Sequence, residues 1–93
     1  MVLNMINEKI VVVNRLGLHT RAAAKLVSLA QKYESKIEIQ KNDQVANCKS
    51  IMSIIVLGVT KGTVLDLIIS GADELEAKEA INALFNDRFG EAE

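Results

Sequence analysis

The chain has 93 residues, of which 49% are hydrophobic and only 3% aromatic, and its formal net charge is −1. This length predicts a single domain over residues 1–93, with enough apolar material for a hydrophobic core. We expect both ends, Met1–Asn4 and Gly90–Glu93, to be frayed. The single cysteine excludes a disulfide framework.

The opening segment is unlike a secretory signal peptide, because Asn4, Asn7 and Glu8 interrupt its apolar residues. No apolar run approaches the roughly 18 residues that a membrane-spanning helix requires. We therefore expect a cytoplasmic protein without membrane insertion. A net charge near zero and few aromatic side chains argue against nucleic-acid binding.

The first half of the chain predicts two strand segments separated by a helix. Lys9–Asn14 is rich in β-branched residues and predicts a strand, and Thr20–Tyr33 predicts a helix with one apolar stripe. Lys36–Lys41 alternates between apolar and polar residues, as in a strand with one buried face. The turn residues that follow predict a hairpin with Gln44–Cys48.

The second half predicts two more helices around a fourth strand. Ser50 is an N-cap candidate for a short apolar helix, and Thr63–Ser70 predicts a strand. A capping box from Asp73 to Glu76 opens a last helix that ends near Arg88. The order β-α-β-β-α-β-α favours an α+β fold, with a four-stranded antiparallel sheet that carries three helices on one face.

The two longer helices begin with opposite charges. Acidic residues start the last one, where the helix dipole is positive, whereas His19, Arg21 and Lys25 lie at the start of the first. Cations there are unfavourable unless an anion binds, and free helix N–H groups with an arginine suit a phosphate. His19 adds a nucleophilic nitrogen that can be neutral near physiological pH.

This pattern favours a reversibly phosphorylated His19, with Arg21 stabilising the phosphoryl group. The alternative is a partly exposed histidine cap beside a solvated basic face. No metal or cofactor is expected. The one histidine and the one cysteine have no carboxylate placed beside them, and the chain has no glycine-rich nucleotide-binding loop.

Two segments of the chain resemble the HPr family, the histidine-containing phosphocarriers of the bacterial phosphoenolpyruvate:sugar phosphotransferase system. GLHTRAAAKLV (Gly17–Val27) is similar to the family's active-site segment, and CKSIMSIIVLG (Cys48–Gly58) to its regulatory-serine segment. The resemblance spans essentially the whole chain and implies an HPr-like open-faced sandwich. It implies that His19 is phosphorylated on Nδ1, that Arg21 accompanies it, and that Ser50 is a candidate site for an ATP-dependent HPr kinase/phosphorylase.

The resemblance further implies a relay intermediate that is not a stand-alone enzyme. Such a carrier accepts its phosphoryl group from Enzyme I, which phosphoenolpyruvate charges, and passes it to EIIA proteins. We expect a monomer that docks these partners through the first helix and an exposed patch on the short helix. The docking residues are expected to be Thr20, Ala24, Lys25, Ile51, Met52 and Ile55, while Ile54 and Leu57 enter the core.

Several alternatives stay open. Ser50 is also explained as a simple helix cap. Ala22 stands where the family often has proline, and with the ending ALFNDRFGE it resembles a proteobacterial subgroup that includes nitrogen-branch carriers. A purely regulatory HPr-like module that acts through partner binding is the alternative function. A small acylphosphatase-like enzyme would need a residue that activates water, and an RNA-binding sheet would need aromatic residues on its strands.

Overall fold

A computed structural model describes residues 5–93. The expected fraying of Met1–Asn4 concerns residues outside this range. The elements are β1 (Ile6–Val11), α1 (Thr20–Ala30), β2 (Lys36–Lys41), β3 (Gln44–Asn47), α2 (Ile51–Val56), β4 (Val64–Ser70), α3 (Glu74–Asn86) and a short 3-10 helix at Arg88–Gly90. The predicted order β-α-β-β-α-β-α and the α+β class are confirmed.

The four strands form one antiparallel sheet in the order β1-β4-β2-β3. One face of the sheet is the core face, where side chains of all four strands are buried against the helices. The fully buried strand residues there are Ile37, Ile39, Ala46, Leu65, Leu67 and Ile69. The opposite face is mixed: it carries the 2.7 Å ion pair between Lys9 and Asp66, and also the exposed side chains of Val11, Val45 and Val64. The alternation predicted for Lys36–Lys41 is therefore confirmed.

The first strand lies earlier in the chain than Lys9–Asn14, the range predicted for it. It pairs with β4 from Ile6 to Val11, after which the chain turns toward α1. Asn14 is fully buried in this turn, and its side-chain Nδ2 donates to the carbonyl of Gly17 at 2.8 Å. The strand ends early because the amide of Asn14 organises the loop that leads to α1.

The capping box predicted from Asp73 to Glu76 is wrong. Asp73 makes no side-chain cap bond to α3. Its carboxylate instead accepts from the backbone N–H groups of Glu34 and Ser35, each at 2.9 Å, and from the Ser35 hydroxyl. The Ser35 hydroxyl is the main cause of a pKa for Asp73 that lies below its ordinary value, with the backbone bonds adding to it. Asp73 thus ties the start of α3 to the loop between α1 and β2.

The segment after α3, Arg88–Glu93, is called the tail segment below. The sequence predicted a frayed Gly90–Glu93, and the structure places Glu91 of this stretch in contact with His19. Phe89 is only 1% exposed, and its ring centroid lies 4.8 Å from that of Phe85. Arg88, Phe89 and Gly90 all have positive φ, at 55°, 56° and 78°, so the chain reverses and returns toward α1. Burial of Phe89 against α3 offsets this unfavourable backbone conformation.

No helix within residues 5–93 is both long enough and apolar enough to cross a membrane.

Candidate active site around His19

The loop between β1 and α1 places His19 at the amino end of α1. Gly17 has a φ of +65°, and a side chain there would collide with the backbone of Val59, so this turn requires glycine. His19 is the N-cap of α1, and its Nδ1 accepts a hydrogen bond from the backbone N–H of Arg21 at 3.3 Å. Nδ1 therefore faces the positive end of the helix dipole.

The other ring nitrogen of His19 meets a carboxylate from the tail segment. Nε2 lies 2.5 Å from Oε2 of Glu91, and Oε1 of Glu91 accepts from Asn14 Nδ2 at 3.0 Å. The His19 and Glu91 side chains are 24% and 12% exposed. A neutral ring that carries its proton on Nε2 satisfies both contacts, because Nε2 then donates to Glu91 while Nδ1 accepts from Arg21.

Glu91 is ionised in this setting. Burial is the largest single influence on its pKa and acts to raise it, whereas the hydrogen bonds from His19 and Asn14 act to lower it. The charges of His19 and Arg21 act in the same direction, so the pKa of Glu91 lies below its ordinary value. The carboxylate is therefore available as a charged hydrogen-bond acceptor at neutral pH.

A cleft of about 410 Å³ opens next to Glu91, the residue that contacts His19; His19 itself does not line it, and its charged lining residues are Arg15, Arg21, Lys25, Glu91 and Glu93. The first turn of α1 contains no acidic residue. Arg21 is exposed, as the interpretation of it as a phosphate-stabilising residue requires. The Lys25 ammonium is already hydrogen-bonded within the protein, because its Nζ donates to the carbonyl of Phe89 at 2.6 Å. The cleft combines a helix amino end with an arginine, which suits an anion.

Ser50 caps α2, as the residue pattern predicted. Its Oγ accepts from the backbone N–H of Ser53 at 3.3 Å. Lys49, the neighbouring cation, reaches back to the carbonyl of Tyr33 at 2.6 Å. The short helix is thereby tied to the end of α1.

The apolar surface of α2 differs in part from the expected patch. Ile54 and Leu57 are buried as predicted. Met52 is 63% exposed, but Ile51 and Ile55 are half-buried because they pack against the core. The most exposed apolar residue of the helix is Val56, at 73%, which the sequence analysis did not single out. A two-turn helix that lies against α1 leaves only this side of its surface open.

The docking residues predicted on α1, Thr20, Ala24 and Lys25, are all exposed. Because α1 packs against α2, they and Met52 belong to neighbouring helices. Residues 5–93 contain no cluster of three or more histidine, cysteine or acidic side chains that could hold a metal ion.

The family model described as the "PTS HPr component phosphorylation site" matches residues 6–87. The phosphocarrier protein HPr of Neisseria meningitidis is 44% identical, with 96% of this chain and all of that protein covered. The HPr of Xylella fastidiosa is 40% identical over 94% of this chain and 98% of that protein. A crystal structure of HPr from Thermoanaerobacter tengcongensis superimposes with a TM-score of 0.91 at 41% identity, and covers 95% of this chain and 99% of that one.

The chain belongs to the HPr family. It is therefore a phosphocarrier of the phosphotransferase system, on the HPr fold that its sequence predicted. Two residues that contribute to the histidine site of this HPr were not found by sequence reasoning. Glu91 lies 72 residues from His19 and outside the range that the family model matches, and Asn14 lies 77 residues from Glu91. No local pattern could have connected them.

Proposed function

We propose that this HPr carries its phosphoryl group on Nδ1 of His19, accepts it from Enzyme I and passes it to an EIIA protein. The observation that carries the proposal is the position of His19 as the N-cap of α1. Nδ1 faces the helix N–H groups, and Nε2 is occupied by Glu91. The resemblance of Gly17–Val27 to the active-site segment of the HPr family supports the same assignment.

In the proposed step, the lone pair of neutral His19 Nδ1 attacks the phosphorus of phosphorylated Enzyme I. The new N–P bond forms as the bond between phosphorus and the donor atom breaks, and the donor atom keeps that electron pair. The proton on Nε2 stays on the ring. Transfer to EIIA is the same reaction in the opposite sense, with the EIIA nucleophile as the attacking group.

The electrostatics of the site favour a bound phosphoryl group without trapping it. The backbone N–H of Arg21 lies against Nδ1, and the exposed Arg21 side chain can reach phosphoryl oxygens. Because His19 is partly exposed and Lys25 is bound to the carbonyl of Phe89, the group is not enclosed by cations. Modest stabilisation is what a carrier needs, since the same group must leave again.

The test is to incubate the protein with phosphoenolpyruvate and Enzyme I and to follow its intact mass. We expect a gain of one acid-labile phosphoryl group that is absent in His19→Ala. His19 is the only histidine of the chain, so an acid-labile phosphoryl group on histidine must be attached to His19. Arg21→Ala should accept the group more slowly. No gain with several Enzyme I paralogues would overturn the proposal and favour the regulatory module.

Ser50 is the proposed regulatory site, and an HPr kinase/phosphorylase is the enzyme proposed to modify it. Its Oγ is at the amino end of α2, where a phosphate is electrostatically favourable, so modification need not unfold the helix. The added charge would lie beside the apolar surface around Met52 and should weaken partner docking. We expect Ser50→Asp to be phosphorylated by Enzyme I more slowly than Ser50→Ala. Equal rates for the two variants would argue against the regulatory role.

We propose a monomer that works in the cytoplasm, where its relay partners act. Ala22 stands where the active-site segment of the family often has proline, so two branches of the relay are candidates for this protein: sugar uptake and nitrogen regulation. Phosphorylation rates with Enzyme I paralogues of the two branches would separate them, because the cognate enzyme should transfer faster.

A further inference from the structure

The carboxylate of Glu91 is held from two sides. Asn14 is fully buried, and its Nδ2 donates both to the carbonyl of Gly17 and to Oε1 of Glu91. Within the part of the chain that the structure describes, Asn14 Oδ1 has no hydrogen-bond partner. The opposite orientation of this amide would turn an oxygen toward two acceptors, so its orientation is determined. The buried amide therefore serves the histidine loop and Glu91 together.

The backbone conformation of the tail segment places Glu91 beside His19. Left-handed backbone is uncommon for residues other than glycine, yet Arg88 and Phe89 both adopt it. Two contacts maintain this conformation: Phe89 is buried against Phe85, and Lys25 binds the carbonyl of Phe89. Since strained backbone persists only where its surroundings determine it, the placement of Glu91 beside His19 is specified by the fold.

The ring nitrogens of a neutral histidine can exchange their roles, and only one arrangement leaves Nδ1 unprotonated, with a lone pair that can accept from Arg21 or attack phosphorus. We propose that Glu91, oriented by Asn14, is a positioning residue that holds the His19 proton on Nε2 and thereby makes Nδ1 the nucleophile. This inference rests on the proposed function of His19 as phosphoryl acceptor. It assigns a role to a residue outside the range that the family model matches.

The same contact acts on the product of the transfer. When Nδ1 has formed its bond to phosphorus and Nε2 has kept its proton, the ring carries a positive charge. The Glu91 carboxylate, 2.5 Å from Nε2, balances that charge. A phosphorylated imidazole that stays protonated is also the better donor, because its ring leaves as a neutral group. Glu91 should therefore support acceptance and donation alike.

The tautomer can be measured without any partner protein. Long-range proton–nitrogen NMR of nitrogen-labelled protein reports which ring nitrogen is protonated, and the single histidine makes the assignment unambiguous. At a pH where the ring is neutral, we expect the wild type to hold its proton mainly on Nε2. Glu91→Ala should show both tautomers. Glu91→Gln should be intermediate, because an amide cannot accept from His19 and from Asn14 at once without turning its NH₂ group toward one of them.

The matched control is Asp87→Ala. Asp87 directly precedes the tail segment and is exposed, its side chain makes no cap hydrogen bond to the 3-10 helix, and it does not line the cleft next to Glu91. We expect this variant to keep the wild-type tautomer and the wild-type rate of phosphorylation by Enzyme I. Glu91→Ala should be phosphorylated roughly tenfold more slowly, as the loss of one charge-assisted hydrogen bond predicts.

The outcomes separate this inference from the proposed function. If wild type and Glu91→Ala have the same tautomer or the same rate while both are phosphorylated on His19, the positioning role is refuted and the carrier function stands. If the wild type is not phosphorylated but shows the Nε2-protonated ring and Glu91→Ala does not, the contact is real and the carrier function fails. If the NMR spectrum of Glu91→Ala loses dispersion, that variant is unfolded. The comparison is then made with Glu91→Gln, which preserves the volume of the side chain.

Discussion

Phe89 anchors the tail segment, and its truncation tests whether this segment is packed in solution. The side chain is 1% exposed and packs against Phe85 with the two rings tilted by 58° and a centroid distance of 4.8 Å. Replacing a fully buried phenylalanine by alanine lowers the free energy of unfolding by about 3–5 kcal/mol. Because the tail segment can detach when its anchor is lost, we expect a value near the lower end of that range, about 3 kcal/mol.

For a domain of this length, 1 kcal/mol corresponds to roughly 4–8 °C in the melting temperature. Phe89→Ala should therefore melt about 12–24 °C below the wild type. The assay is urea and thermal unfolding followed by far-ultraviolet circular dichroism. The control is Leu75→Ala on α3, a large apolar residue that is 62% exposed and should change the free energy of unfolding by no more than about 0.5 kcal/mol.

If Phe89→Ala and Leu75→Ala are equally stable, the tail segment is not packed, and the account of the Glu91 contact fails with it. A second measurement checks the coupling to the site. A detached tail removes Glu91 from His19, so Phe89→Ala should show the mixed tautomers expected for Glu91→Ala. If Phe89→Ala is destabilised but keeps the His19 ring protonated on Nε2, burial of Phe89 is not what holds Glu91 against His19.

Three further outcomes are expected. Gly90→Ala should lower the free energy of unfolding by about 1 kcal/mol in urea titrations, because Gly90 has a φ of +78° and a methyl group would lie 3.0 Å from Lys25 Nζ. Burial, with a smaller contribution from the charge of Glu38, raises the pKa of Cys48 to about 12. A thiol reagent at mildly alkaline pH should therefore leave native Cys48 unmodified and react with it only on unfolding. The stability that the Glu91 carboxylate contributes should be present above pH 4.5, its ordinary pKa, and lost as the pH falls through the lowered folded-state pKa. Urea titrations of wild type and Glu91→Gln should accordingly differ above pH 4.5 and converge as the pH falls through the lowered pKa of Glu91.

Local patterns in the sequence predicted several elements closely. The bounds of β2 agree at both ends, because strict alternation over Lys36–Lys41 is itself the property that a half-buried strand requires. The start of α1 at Thr20 and the capping of α2 by Ser50 agree because a helix start depends on a few adjacent residues. The placement of His19 and Arg21 at a helix start was predictable for the same reason, since the two residues are neighbours in sequence.

Other features depended on contacts that no local pattern contains. Asp73 has the sequence of a helix cap, but the loop after α1 supplies three donors that its carboxylate accepts instead. Ile51 and Ile55 have the sequence of exposed docking residues, but the way α2 lies on the core half-buries both. In each case a tertiary contact competed with a local preference and prevailed.

The sequence by itself determined the α+β order and the position of His19 at the amino end of a helix. Hydrophobic period, capping and helix charge act over a few residues, and they can be recognised wherever they occur. Only the tertiary structure determined which group contacts Nε2 of His19. That contact joins Glu91 to a histidine 72 residues away, and it forms because a buried Phe89 turns the tail segment back onto α1.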